Sequence, residues 1–128
     1  MWAELPRLIK SARQHVDQHP DLHIASLDVS ATDVGPGRVE VHVSGPRAQS
    51  CARLLHWRDT LSRSSTYLQV EADPQQPKAM VFGRLLGGTA VTVVAPLSEE
   101  DTIGIPRDRI GEWVLHWLRM QAVETLVA

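Results

Sequence analysis

Apolar residues return every three or four positions at Leu5, Leu8, Ile9, Ala12 and Val16, and Pro20 stops the run. This spacing predicts an amphipathic helix over about residues 3 to 18, with Arg7, Lys10, Arg13 and Gln14 turned to water. Leu22 to Ser30 reads as a strand, Gly35-Pro36-Gly37 as a turn, and Val39, Val41 and Val43 alternate with Glu40, His42 and Ser44. That period of two predicts a hairpin with one buried face. Gly45-Pro46 then resembles a helix start, and Ala48, Cys51, Leu54, Leu55 and Leu61 carry a helical period over about 46 to 62.

Three further strands are expected at about 66 to 72, 79 to 86 and 89 to 95, divided by Asp73-Pro74-Gln75-Gln76-Pro77 and by the Gly87-Gly88 pair. The glycines suit a tight hairpin, whose turn needs positive φ angles. A loop carrying Pro96 and Ser98-Glu99-Glu100-Asp101 leads through Pro106 to a long helix over about 107 to 126. The order α-β-β-α-β-β-β-α predicts one α+β domain over residues 1–128: a single antiparallel sheet of about five strands with three helices packed on it.

The last helix changes this picture. Ile110, Trp113, Val114, Leu115, Trp117, Leu118, Met120 and Ala122 cover well over half of its circumference, leaving a narrow polar strip of Glu112, His116 and Arg119. A helix that only caps a sheet needs an apolar stripe of about 100° or a little more. A second surface to bury is therefore expected, either inside the chain or against another molecule. Trp113, Leu115, Trp117 and Met120 are the expected interface residues, because tryptophan and methionine are enriched where proteins meet.

Composition adds bounds. The chain has 128 residues, 43% hydrophobic and 22% charged, which suits one globular domain with a real core. The net charge of −2 supplies no global positive field for nucleic acid or anionic lipid. Arg47, Arg53, Arg58 and Arg63 scatter around the second helix instead of forming a stripe, which argues further against nucleic acid. Only Lys10 and Lys78 among the thirteen basic residues are lysine, a bias that fits a GC-rich genome. The start Met1-Trp2-Ala3-Glu4 lacks the pattern of a signal peptide, and no apolar run approaches the roughly 20 residues of a membrane span, so the cytoplasm is the expected compartment.

Candidate chemistry is sparse. His15, His19 and His23 are four apart, but Pro20 ends the helix between them, so no shared metal-binding face is expected. Cys51 and His56 point about 140° apart on one helix, and Cys51 lies on the apolar stripe as a small hydrophobe. There is no Gly-x-Ser-x-Gly elbow and no phosphate-binding glycine loop, and Glu99-Glu100-Asp101 lacks the ligand spacing of a calcium loop. No catalytic residue, metal or cofactor is expected. Arg58 is the anomaly, since it projects between Cys51, Leu54 and Leu61. Either its stem covers the core while its head reaches water, or it anchors a carboxylate, with Glu40 and Glu71 as candidates within the chain.

Three resemblances bear on function. Leu54, Leu55, Trp57 and Leu61, with Gly83-Arg84-Leu85 and Gly88-Thr89-Ala90-Val91-Thr92-Val93, resemble small uncharacterised proteins of actinobacteria and their mobile elements, which implies no activity. The element order is similar to that of the roadblock family, small homodimers that regulate GTPases, and in outline to dedicated secretion chaperones. These readings favour a non-enzymatic protein-interaction or regulatory module, a homodimer that also takes a protein partner. The alternative is a small-molecule sensor whose apolar pocket between sheet and helices is lined by Trp57, Tyr67, Met80, Phe82 and Trp113.

Overall fold

Leu8 and Ala12, one helical turn apart, are buried while Arg7, Lys10 and Arg13 are exposed, and the segment around them forms α1 (Glu4–Gln18). The computed structural model describes residues 4–32 and 35–127. After α1 come β1 (Ser26–Thr32) and β2 (Gly35–His42), then α2 (Arg47–Thr60), β3 (Ser62–Gln69), β4 (Lys78–Arg84) and β5 (Ala90–Pro96). A 3-10 turn at Glu100–Thr102, a two-residue strand β6 (Arg109–Ile110) and α3 (Glu112–Val127) complete the chain. Among the described residues, no helix is long and apolar enough to cross a membrane.

The fold is α+β with three helices and one sheet, as the hydrophobic pattern implies. The sheet has six strands rather than about five, in the order β1-β2-β5-β4-β3-β6, and it is mixed rather than antiparallel, because β2 and β5 run parallel. The reason is topological. The α2 crossover returns the chain to start β3 in the direction of β2, and the β3-β4-β5 meander reverses it twice, so β5 arrives beside β2 with the same polarity. The extra strand, β6, lies where the start of the last helix is expected. It pairs with Tyr67 and Leu68, and the helix begins only after Gly111, whose φ of 77° turns the chain.

The expected turn at Gly35-Pro36-Gly37 is displaced as well. Gly35 already stands opposite Thr32 in the ladder, so these residues belong to β2; Asp33 and Val34 lie outside the described residues. Proline is admitted here because β5 pairs with β2 only from Val39 onward, so the first half of β2 is an edge. The Gly87-Gly88 turn is where the pattern puts it, with both glycines at φ 93° and Leu85 and Thr89 hydrogen-bonded across it.

All three helices lie on one face of the sheet. Val39, Val41 and Val43 of the β2 segment, Val91, Val93 and Ala95 of β5, Ala79 and Val81 of β4, and Leu68 of β3 form one core with Leu8 and Ala12 of α1, Cys51, Leu54 and Trp57 of α2, and Val114 and Leu118 of α3. Here α1 packs over β1 and β2, α2 over β4 and β5, and α3 against α2 and the β3-β6 edge.

A polar knot ties this layer together. The backbone N–H of Leu86 donates to His15 Nδ1 (3.1 Å), so the ring carries its proton on Nε2 and donates to Thr60 Oγ1 (2.8 Å). The Thr60 hydroxyl donates to the Trp57 carbonyl (2.7 Å), and Trp57 Nε1 donates to the His23 carbonyl (2.8 Å). The imidazole stacks on the Trp57 indole with centroids 5.7 Å apart. His15 is buried and neutral: loss of solvation, and to a lesser degree the neighbouring His19, hold its pKa below the usual histidine value.

Candidate interaction surface

Helix α3 divides its apolar residues between two directions. Val114, Leu115 and Leu118 are buried, whereas Trp113 is 41% exposed, Met120 58% and Val123 53%, with Trp117 half-buried between them. At 100° per residue, Trp113, Trp117 and Met120 fall within a sector of about 60°. Three of the four expected interface residues therefore make one stripe along the helix. Leu115 does not join them, because it turns inward to a shallow groove of about 180 Å³ that it lines with Arg58, Ser64, Thr66 and Glu112.

The helix is aimed by its first turn. Gly111 donates its N–H to the Thr66 carbonyl (2.9 Å), and Thr66 Oγ1 donates to the Gly111 carbonyl (2.7 Å), which clamps the start of α3 to β3. One residue pair earlier, Arg109 leaves the sheet edge and stacks its guanidinium 4.8 Å from the centroid of the Trp113 ring. Trp113 is thus held in place although two-fifths of it faces water.

The second apolar surface is the sheet face that no helix covers among the described residues. The strand registers carry one row across it, His42, Val94, Met80, Tyr67 and Ile110, and a second row, Asp28, Glu40, Thr92, Phe82 and Ser65. Thr92 and Val94 are buried, and Met80, Phe82 and Tyr67 are half-buried. Tyr67 and Phe82 meet edge to face at 6.4 Å.

The Tyr67 hydroxyl donates to Asp108 Oδ2 (2.7 Å), while Asp108 Oδ1 accepts the backbone N–H groups of Val70 (2.7 Å) and Glu71 (2.9 Å). Those backbone bonds, and then the tyrosine, hold the Asp108 carboxyl below its usual range, and the carboxylate in turn raises the Tyr67 phenol. Tyr67 therefore has its polar end satisfied and presents its ring on the open face.

This placement separates the expected pocket residues. Trp57 is 1% exposed and sits in the core on the helix side of the sheet, whereas Tyr67, Met80 and Phe82 lie on the other side. The four line no common cavity, because a strand sends alternate side chains to opposite faces. An apolar cleft does exist elsewhere: Ile9, Ala12, Val16, Leu27 and Val29 line an open cleft of about 260 Å³ between α1 and the edge strand β1.

Arg58 keeps its head near water, 3.6 Å from the carboxylate of its neighbour Asp59; neither Glu40 nor Glu71 is its partner. Glu40 instead bonds His42, and Asp28 lies close by. Cys51 is buried in the core. Sequence reasoning missed three features: the neutral His15 knot, the Asp108 clamp, and the convergence of Asp28, Glu40 and His42. The alternation of Glu40 and His42 was visible, but bringing Asp28 beside them needs the β1-β2 register. No family model matches the chain, and neither a curated protein nor a solved structure does.

Proposed function

We propose that this chain is a non-enzymatic protein-interaction module that forms a homodimer through the Trp113-Trp117-Met120 stripe of α3 and leaves its open sheet face to a protein partner. The observation that carries the reading is the exposure of a positioned tryptophan beside Met120 and Val123 on a helix whose other side already fills the core. Fully burying side chains of this size contributes about 1.5 to 3 kcal/mol each, and tryptophan anchors dominate many interfaces.

Light scattering across a concentration series tests it. The expected mass is twice the 14.2 kDa of one chain, returning to a single chain in Trp113→Glu. A wild-type protein that stays monomeric up to high micromolar concentration overturns the dimer.

The α1-β1 cleft favours a second reading, a sensor for a small apolar ligand. Its volume lies just below the usual range for ligand pockets, roughly 300 to 1,000 Å³. Native mass spectrometry of freshly purified protein decides this: a co-purifying small molecule lost in Leu27→Trp, at the exposed side of the cleft, supports the sensor, and the bare chain mass removes it.

A further inference from the structure

We propose that Asp28, Glu40 and His42 form a binding site for a divalent cation of the Zn²⁺ type on the open face of the sheet. Glu40 and His42 are two apart on β2 and so project to the same side, and Asp28 is the direct partner of Glu40 on β1. One ligand atom from each residue lies within 4.8 Å of the other two. His42 Nε2 is 2.9 Å from Glu40 Oε2 and 3.8 Å from Asp28 Oδ2, so a proton on that nitrogen is focused between two carboxylates.

Among the described residues, neither carboxylate is paired with a lysine or arginine. A metal ion taking the proton's place would satisfy both carboxylates and the imidazole lone pair at once. Zinc bonds to nitrogen and oxygen at about 2.0 to 2.2 Å, so tetrahedral ligands stand about 3.4 Å apart. The exposed Asp28 and part-exposed Glu40 side chains have room to rotate into that spacing.

The donor set selects the metal. An imidazole nitrogen with two carboxylate oxygens suits zinc and its neighbours in the first transition row, whereas calcium and magnesium prefer oxygen alone. Three protein ligands leave at least one coordination position open, for water or for a donor group of a bound partner.

Calorimetric titration of the full chain with Zn²⁺ tests the site, with the visible absorbance of Co²⁺ reporting its coordination. One equivalent is expected to bind per chain, because one ligand atom from each of the three residues can reach a common ion. His42→Gln and Asp28→Asn should each weaken binding by roughly tenfold or more. His19→Gln, which removes an imidazole beside His15, should leave the affinity unchanged. Because the substituted side chains are solvent-accessible, circular dichroism should show every variant folded. The site is overturned if wild type takes up no stoichiometric zinc, or if His42→Gln and Asp28→Asn bind it as wild type does.

Discussion

The two faces of the sheet are built from alternate residues of the same strands, yet they differ in kind. The helix side carries Val39, Val41, Val81, Val93, Ala79 and Ala95, all without exposed surface. The open side carries Met80, Phe82, Tyr67 and Val94 beside Asp28, Glu40 and His42. Small and β-branched residues have few rotamers and pack one way against a helix. Larger, adaptable and amphipathic residues next to charges suit a surface that meets something from outside. The contrast separates residues that hold the fold from residues that are free to serve a partner.

The sharpest break of this contrast is on the covered side. Trp57→Ala removes the indole under His15 and is expected to cost about 3 to 5 kcal/mol of stability, read as a shift of the denaturant midpoint. Trp113→Ala should leave that midpoint nearly unchanged when it is measured below the dimer dissociation constant, but weaken self-association by about 2 kcal/mol, roughly thirtyfold in that constant measured by sedimentation. A large loss of stability instead would place Trp113 with the core.

Asp108→Asn keeps the shape of the clamp below Tyr67 but removes its charge, and should cost up to about 1.5 kcal/mol. Because the folded Asp108 carboxyl titrates below its usual value, this contribution is present above the unfolded carboxylate range and is lost as pH falls through the folded value. Met80→Ala on the half-buried open face should cost less stability than Val81→Ala one residue on, in the fully buried core.

The most gradual effect belongs to His15. Its folded pKa is lowered, so its neutral state contributes fully above the unfolded histidine value of about 6.5. As pH falls below that value the unfolded chain takes up a proton that the folded one resists, and stability declines until the folded pKa is passed. In His15→Gln, this part of the slope below pH 6.5 should disappear from chemical denaturation curves.

Much of the fold was legible. The three helices and the five longer strands follow from apolar spacing, since Leu8 and Ala12, Val39 and Val41, and Leu54 and Cys51 obey the periods of their elements. The parallel contact of β2 with β5 was not, because it depends on where a crossover delivers the chain rather than on any local pattern. Strand β6 was hidden because two residues, Arg109 and Ile110, cannot display a period.

The surface was legible in part. The breadth of the apolar stripe on the last helix pointed to Trp113, Trp117 and Met120, but not to the inward turn of Leu115, which lies beside Arg58 and Thr66, distant along the chain. Tyr67, Met80 and Phe82 were picked as apolar, whereas the face each one occupies follows from register. His15 showed no role in the sequence because its partners, Thr60 and Leu86, are distant along the chain.

The parallel pairing also shapes how the protein is made. The inner edge of β2 has its backbone groups and valines ready after residue 43, but their partner ends only at Pro96. Until then a growing chain carries an open, apolar strand edge, the kind of surface that adheres to other unfinished chains. Docking β5 into that gap joins the two halves of the sheet over a long stretch of sequence, and pairings of such separation are expected to form late.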